Sequence, residues 1–332
     1  MSGAKPPAGR IPLNTLAVAF GLAGLAEAWT AAGDALSFPT AVGSAFWAVV
    51  AVAWVWLLAA HVRRGAQVRR PLSQQLADPV QGPIAALVPV VAMLLGTALL
   101  PYSRGAGQVV VALAIVAATV FAGWFVGHLQ DGGVSVDAVH GGYFLPTVAA
   151  GYIGSYAAAR CGWDEVAAGA FFLATLGWVV TLGVLLARLA SRPPLPPPLV
   201  PTLAILVAPP VVGGLAWYAM RGPHMDAVQA GFAGVGVVFF LAQLAFVRRY
   251  LALPFTLGFW SFTFPFAAVG EYVIVWLGVL RPAGWQVGVV VLLVLVTALV
   301  VGVAARSLVE VARGRIARAE RVLQAGDQRA LR

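Results

Sequence analysis

From Val287 to Ala305 the chain runs through nineteen residues without a charge or a proline. Wound as an α-helix at about 1.5 Å per residue, such a segment is close to the ~30 Å thickness of a bilayer's hydrocarbon core. Similar stretches recur along the whole sequence. A β-barrel also spans lipid, but its segments alternate apolar and polar residues, and these do not. In lipid every backbone polar group must be satisfied within the protein, so uniformly apolar segments have to be helices. Composition agrees: 61% of residues are hydrophobic and 10% charged, against about 25% charged in soluble domains.

With a window of about 19 residues, apolar spans fall near 13–32, 41–60, 82–100, 108–128, 142–159, 166–187, 203–220, 228–246, 256–276 and 286–305. The expected fold is an all-α polytopic membrane protein of ten transmembrane helices. Short connections make neighbouring spans antiparallel hairpins, five in all. Organisation follows as a cytoplasmic N-terminal tail (1–11), a transmembrane domain (12–305) and a basic cytoplasmic C-terminal tail (306–332). The first span lacks a convincing cleavage site and is expected to be retained.

The net charge of +9 suggests nucleic acid only until the basic residues are placed. With the N-terminus inside, seventeen of them fall on the cytoplasmic side: Lys5, Arg10, Arg63, Arg64, Arg69, Arg70, Arg188, Arg192, Arg248, Arg249 and the seven arginines from Arg306 onward. Four fall on the other side, Arg104, Arg160, Arg221 and Arg281. This is the positive-inside bias; it sets orientation and makes the bilayer, not nucleic acid, the partner. The tail reads as a basic amphipathic helix suited to anionic headgroups, and Pro193 to Pro201 as a stiff, extended linker.

Proline placement separates the spans into two kinds. Pro89 lies in the third, Pro146 in the fifth, Pro209 and Pro210 in the seventh and Pro265 in the ninth; the even spans have none. Proline removes a helix hydrogen bond and frees a carbonyl, which in lipid must face protein or a wet cavity. Broken odd helices are therefore expected to form the interior and straight even helices the exterior. The first span carries Gly21 and Gly24 instead, which allow close packing or a bend. Half-helix ends around a central path would attract anions without any basic side chain.

The ionisable residues inside apolar segments are Glu27 and Glu271. They fall toward the outer ends of their spans, where two readings stay open. Either they reach interfacial water, or they attract ions, gate or couple protons. Ser261 and Thr263 offer hydroxyls to a path, though intramembrane hydroxyls usually bond back to their own helix. The single cysteine, Cys161, excludes an internal disulfide. No metal-ligand spacing, nucleophile elbow, P-loop or dinucleotide fingerprint occurs, so neither cofactor, metal nor catalytic residue is expected.

The ninth span reads Pro254-Phe255-Thr256-Leu257-Gly258-Phe259-Trp260-Ser261-Phe262-Thr263-Phe264-Pro265. This resembles a signature of the tellurite-resistance/dicarboxylate transporter family, which includes bacterial TehA proteins and plant slow-type anion channels. Phe20 to Ala26 with Trp29 resembles that family's first helix. Leu195 to Pro201 followed by Ala208-Pro209-Pro210 resembles another of its stretches. Two departures stand out: Asp78 replaces the usual His ahead of Pro79-Val80, and Gly141 to Pro146 replaces a Pro-x-Trp stretch.

The resemblance covers about residues 12–305. It implies odd helices lining a central pore, a homotrimer with one pore per subunit, and a multi-pass place in the bacterial plasma (inner) membrane. It also implies a phenylalanine of the ninth span that occludes the pore. By the motif this is Phe264, with Phe262 as the alternative. The expected function is an anion channel or facilitator for small inorganic anions, and not an enzyme. A coupled carrier for dicarboxylates, sulfite or tellurite-related oxyanions is the rival, and a non-conducting scaffold or sensor a third reading.

Overall fold

The computed structural model describes residues 10–68 and 71–330, and side chains as far as residue 314. The N-terminal residues 1–9, Arg69, Arg70 and the arginines beyond 314, on which part of the charge count rests, lie outside these limits. Among the described residues the fold is entirely helical. The spans are α1 (Leu13–Leu36), α2 (Thr40–Ala66), α3 (Gly82–Leu99), α4 (Arg104–Gln130), α5 (141–161), α6 (Asp164–Ser191), α7 (Pro197–Arg221), α8 (Ala227–Leu251), α9 (Leu257–Leu280) and α10 (Trp285–Ala330). Nine of the ten are continuous enough and apolar enough to count as membrane-crossing helices. The tenth, α5, misses by pitch: a 3₁₀ turn (Gly141–Phe144) and a π turn (Leu145–Ala149) precede an α segment of only 12 residues.

Burial sorts the spans by parity. In their most apolar windows α1, α3, α7 and α9 are 50–89% buried, whereas α2, α4, α6, α8 and α10 are 11–28% buried. The cause is in the side chains. Even helices carry Val, Leu and Phe all round, which suits lipid on most faces. Odd helices are punctuated by Gly, Ala and Pro, which let backbones approach closely. α1 packs on α9 and α3, α3 on α5, α5 on α7 and α7 on α9, while each even helix lies against the odd helix before it.

Every odd span opens with 3₁₀ turns before its α segment: Leu13–Leu16, Gly82–Ala86, Gly141–Phe144, Pro197–Val207 and Leu257–Phe259. The prolines therefore sit near pitch changes rather than in mid-span. Pro89 is the third residue of the α segment Leu87–Leu99, and Pro209 and Pro210 are the second and third of Ala208–Arg221. A proline clashes with the carbonyl four residues back and cannot bond it, which favours tighter i→i+3 bonding upstream. Pro265 differs: Trp260–Leu280 runs through it without a break.

Three expectations need correction. The Pro-rich connection is not extended throughout, because Pro197–Val207 coils into a 3₁₀ helix that buries Val200 and Pro201. Arg188, just past the span expected at 166–187, is helical and buried. It lies in the last turn of α6, 2% exposed, donating from Nε and Nη2 to the Asp137 carbonyl. Finally, α10 continues past Ala305 to Ala330 without interruption, so no break in the helix marks the start of the basic tail.

Polar ties link the helices. Tyr272 of α9 donates to the Gln229 side chain at 2.6 Å, and Gln229 of α8 donates to the Gly214 carbonyl of α7 at 2.9 Å. Trp29 donates to Thr297 and Trp260 to Ser307, joining α1 and α9 to α10. The starts of the odd spans share one end of the bundle with residue 10 and Ser307. This end is called the terminal face, and the opposite end, with Asp34, Tyr102 and Arg160, the distal face.

Candidate functional site

The site begins where α1 meets α9. A Cβ on Gly21 would overlap the Thr263 hydroxyl, and one on Gly24 would come within 3.0 Å of the Ala267 methyl and 3.1 Å of the Phe264 ring. These glycines lie outside the linings of the cavities described below; they let α9 come close. The approach brings Phe20 onto Phe264 with ring centroids 3.6 Å apart and planes at 13°.

Toward the terminal face lies a cavity of about 200 Å³. Residues at or beside the start of all five odd α segments border it: Ala17, Leu87, Ala149, Ala208 and Trp260. Five α-segment starts therefore surround one space, the first N–H of each already bonded to the 3₁₀ or π turn ahead of it. Asn14, Gln81, His140, Thr202 and Ser261 supply its polar wall, and Asn14 Oδ1 is buried without a partner.

His140, just ahead of α5, is fully buried. Its Nδ1 accepts from the Gly142 N–H at 3.1 Å, and its Nε2 lies 3.0 Å from the Val80 carbonyl. A carbonyl only accepts, so Nε2 carries the proton and the ring is neutral. Burial pushes its pKa down to about 4, against smaller upward pulls from the Val80 carbonyl and Asp78. Asp78 in turn accepts from the Val80 and Gln81 N–H groups at 2.9 and 2.8 Å. The two departures from the family pattern are thus neighbours that brace one turn.

Phe264, Ile153 and Val212 border both this cavity and a smaller one of about 20 Å³ beyond it. They form the partition between the two, with Phe264 backed by Phe20. Phe262 borders neither cavity; it packs edge-on to Tyr250 at 4.8 Å. Ser261 and Pro265 face the larger cavity. Since Pro265 has no N–H, the Ser261 carbonyl is released there from the helix ladder. Thr263 instead donates to the Trp260 carbonyl at 2.7 Å within the α1–α9 contact. Pro209 faces the cavity, while Pro89, Pro146 and Pro210 are buried in packing.

Glu27 and Glu271 are each 7% exposed and border the 20 Å³ cavity. Glu27 also borders a vestibule of about 740 Å³ open toward the distal face, with Asp34, Tyr156 and Arg160. Residue reasoning missed Phe20, Asn14, His140 and Tyr156 as members of the site. Phe20 had a usable signal, since it directly precedes the Gly21 and Gly24 that bring α9 into contact.

Helices of two kinds, apolar outside and small-residue-rich inside, with aligned cavities between the buried ones, define a polytopic helical membrane protein. The chain belongs to the voltage-dependent anion channel family, whose sequence model matches residues 10–308. It is accordingly a membrane transport protein for anions and not an enzyme. It is 22% identical to the tellurite resistance protein TehA homolog of Haemophilus influenzae over 262 residues, covering 79% of this chain and 80% of that protein. It is 25% identical over 119 residues to the guard cell S-type anion channel SLAC1 of Arabidopsis thaliana, covering 36% of this chain and 21% of that protein.

Proposed function

We propose that the protein is a passive channel or facilitator for small inorganic anions, with the path running between the five odd helices and closed at Phe264. The single observation that carries this reading is that Phe264 belongs to the partition between the terminal-face cavity and the space beyond it. The polar wall of Asn14, Gln81, Thr202 and Ser261, with the starts of five α segments behind it, supplies fixed dipoles around the first cavity. These draw an anion in without binding it so tightly that it cannot leave. Among the described residues no Lys or Arg lines either cavity at the partition, which favours passage over clamping of a dicarboxylate, the requirement of the carrier alternative.

In this reading the spans form five hairpins, residues 12–305 make up the conducting domain, and the charge bias puts both termini in the cytoplasm. The assembly is a homotrimer in a bacterial plasma membrane, as the family resemblance implies, with lipid against the even helices. Phe264→Ala is expected to raise anion flux into liposomes by an order of magnitude or more, and Phe262→Ala to leave it near the parent's. Unchanged flux in a folded Phe264→Ala protein would overturn the gate.

A further inference from the structure

Phe20 and Glu27 are seven residues apart on α1, as are Phe264 and Glu271 on α9. Seven residues are two helical turns, so each glutamate sits on the same face as its phenylalanine and about 10 Å farther along. Because the rings stack on one another, the carboxylates two turns on are also directed toward each other. Both border the cavity of about 20 Å³, room for about one water.

Their surroundings differ. Glu27 has the Tyr156 hydroxyl donating to it at 3.5 Å and shares the vestibule with Arg160. Glu271, more than nine-tenths buried, has no hydrogen bond or ion pair among the described residues and faces the cavity. The groups from each packed element are few. α5 supplies Tyr156 and Arg160, α1 itself adds Asp34, and α7 brings Val212 and Leu215, with Tyr218 nearer the distal face. α3 presents Leu94 and Thr97 and α2 presents Ser44 and Trp47, while the polar groups of α10 and α8, Thr297 and Gln229, are bonded to Trp29 and Tyr272. Among the described residues the Arg160 guanidinium is thus the one nearby cation, and it lies on the Glu27 side.

Two ionised carboxylates around a one-water cavity would place two negative charges beside the partition with one cation to offset them. This is a strong barrier to an anion in a poorly solvated site. We propose that Glu27 and Glu271 form a proton-binding site, with the proton seated on Glu271 and exchanged through the distal vestibule, and that its loss closes the path to anions. The proton moves between water in the vestibule and a Glu271 oxygen, and no other bond changes. The conduction role rests on the pore reading above; the proton site itself does not.

Two measurements test it. The first is the infrared difference spectrum of the reconstituted full chain between acid and neutral buffer. A buried carboxylic-acid band is expected in the parent and is lost in Glu271→Gln. If that variant does not fold, Glu271→Asp is expected to shift the band. A band that survives in Glu271→Gln, or is unmoved by Glu271→Asp, overturns the site whether or not the protein conducts. The second is chloride flux through Phe264→Ala. Flux is expected to fall roughly tenfold as pH rises on the distal side alone, as one added unit charge several ångströms from the ion would cause, and to be flat in Phe264→Ala/Glu271→Gln. Flux that is flat with both glutamates present, or equally pH-dependent without Glu271, overturns the proposal. A Phe264→Ala protein with no flux at any pH counts against the pore reading, and the infrared band then decides the proton site.

Discussion

Gly24 and Phe264 show how much a single Cβ decides in this bundle. The Gly24 Cα lies against Phe264 and Ala267 with no space for a side chain, so Gly24→Leu must push α9 away or displace the Phe20–Phe264 stack. Overpacking of this kind costs about 1–3 kcal/mol. The expected result is a lower melting temperature in detergent, whereas Gly33→Leu, with open space around it, leaves melting unchanged. His140 makes a second prediction. Its neutral ring is buried with a pKa near 4, against an ordinary value of 6.5, so the unfolded chain binds more protons between those values. The stability from the neutral ring is complete above about pH 6.5 and is lost as pH falls toward about 4. Melting curves across that window should show the decline, and His140→Gln should flatten it. Residues of this kind were only half legible in the sequence. Glu27 and Glu271 announced themselves as charges in apolar runs and Phe264 by its motif, whereas the stacking of Phe20 on it depends on how closely α1 and α9 approach, which the two glycines only hint at.

At the scale of elements, the prolines were informative and also misleading. Their restriction to odd spans agrees with the burial of those spans, because a carbonyl without a partner is costly in lipid. Their effect on helix shape was harder to read. The pitch changes from 3₁₀ toward α near each odd span's start, and no proline alone specifies that; α1 makes the same change with none inside it. In α5 the π and 3₁₀ turns shorten the α segment enough to blur the span. The turn ahead of α3 offers a test. Asp78 accepts two backbone N–H groups, so Asp78→Ala should cost about 1 kcal/mol. Asp78→Asn, whose amide oxygen also accepts, should cost little. Equal melting temperatures for Asp78→Ala and the parent would contradict this role.

At the scale of the molecule, apolar even helices enclose odd helices whose small residues and helix ends face one another. This division was visible as a contrast in composition between alternate spans. The convergence of five α-segment starts on one cavity was not visible, because it depends on where each α segment begins. The central claim is that anions pass passively along the line joining the cavities once Phe264 is reduced. The direct measurement is the reversal potential of Phe264→Ala channels in a planar bilayer under a chloride gradient with the cation held equal. A reversal at the chloride equilibrium potential, shifting predictably when nitrate replaces chloride, is the expected result. A reversal that follows the cation, or chloride movement that stalls without a proton gradient, would contradict the account.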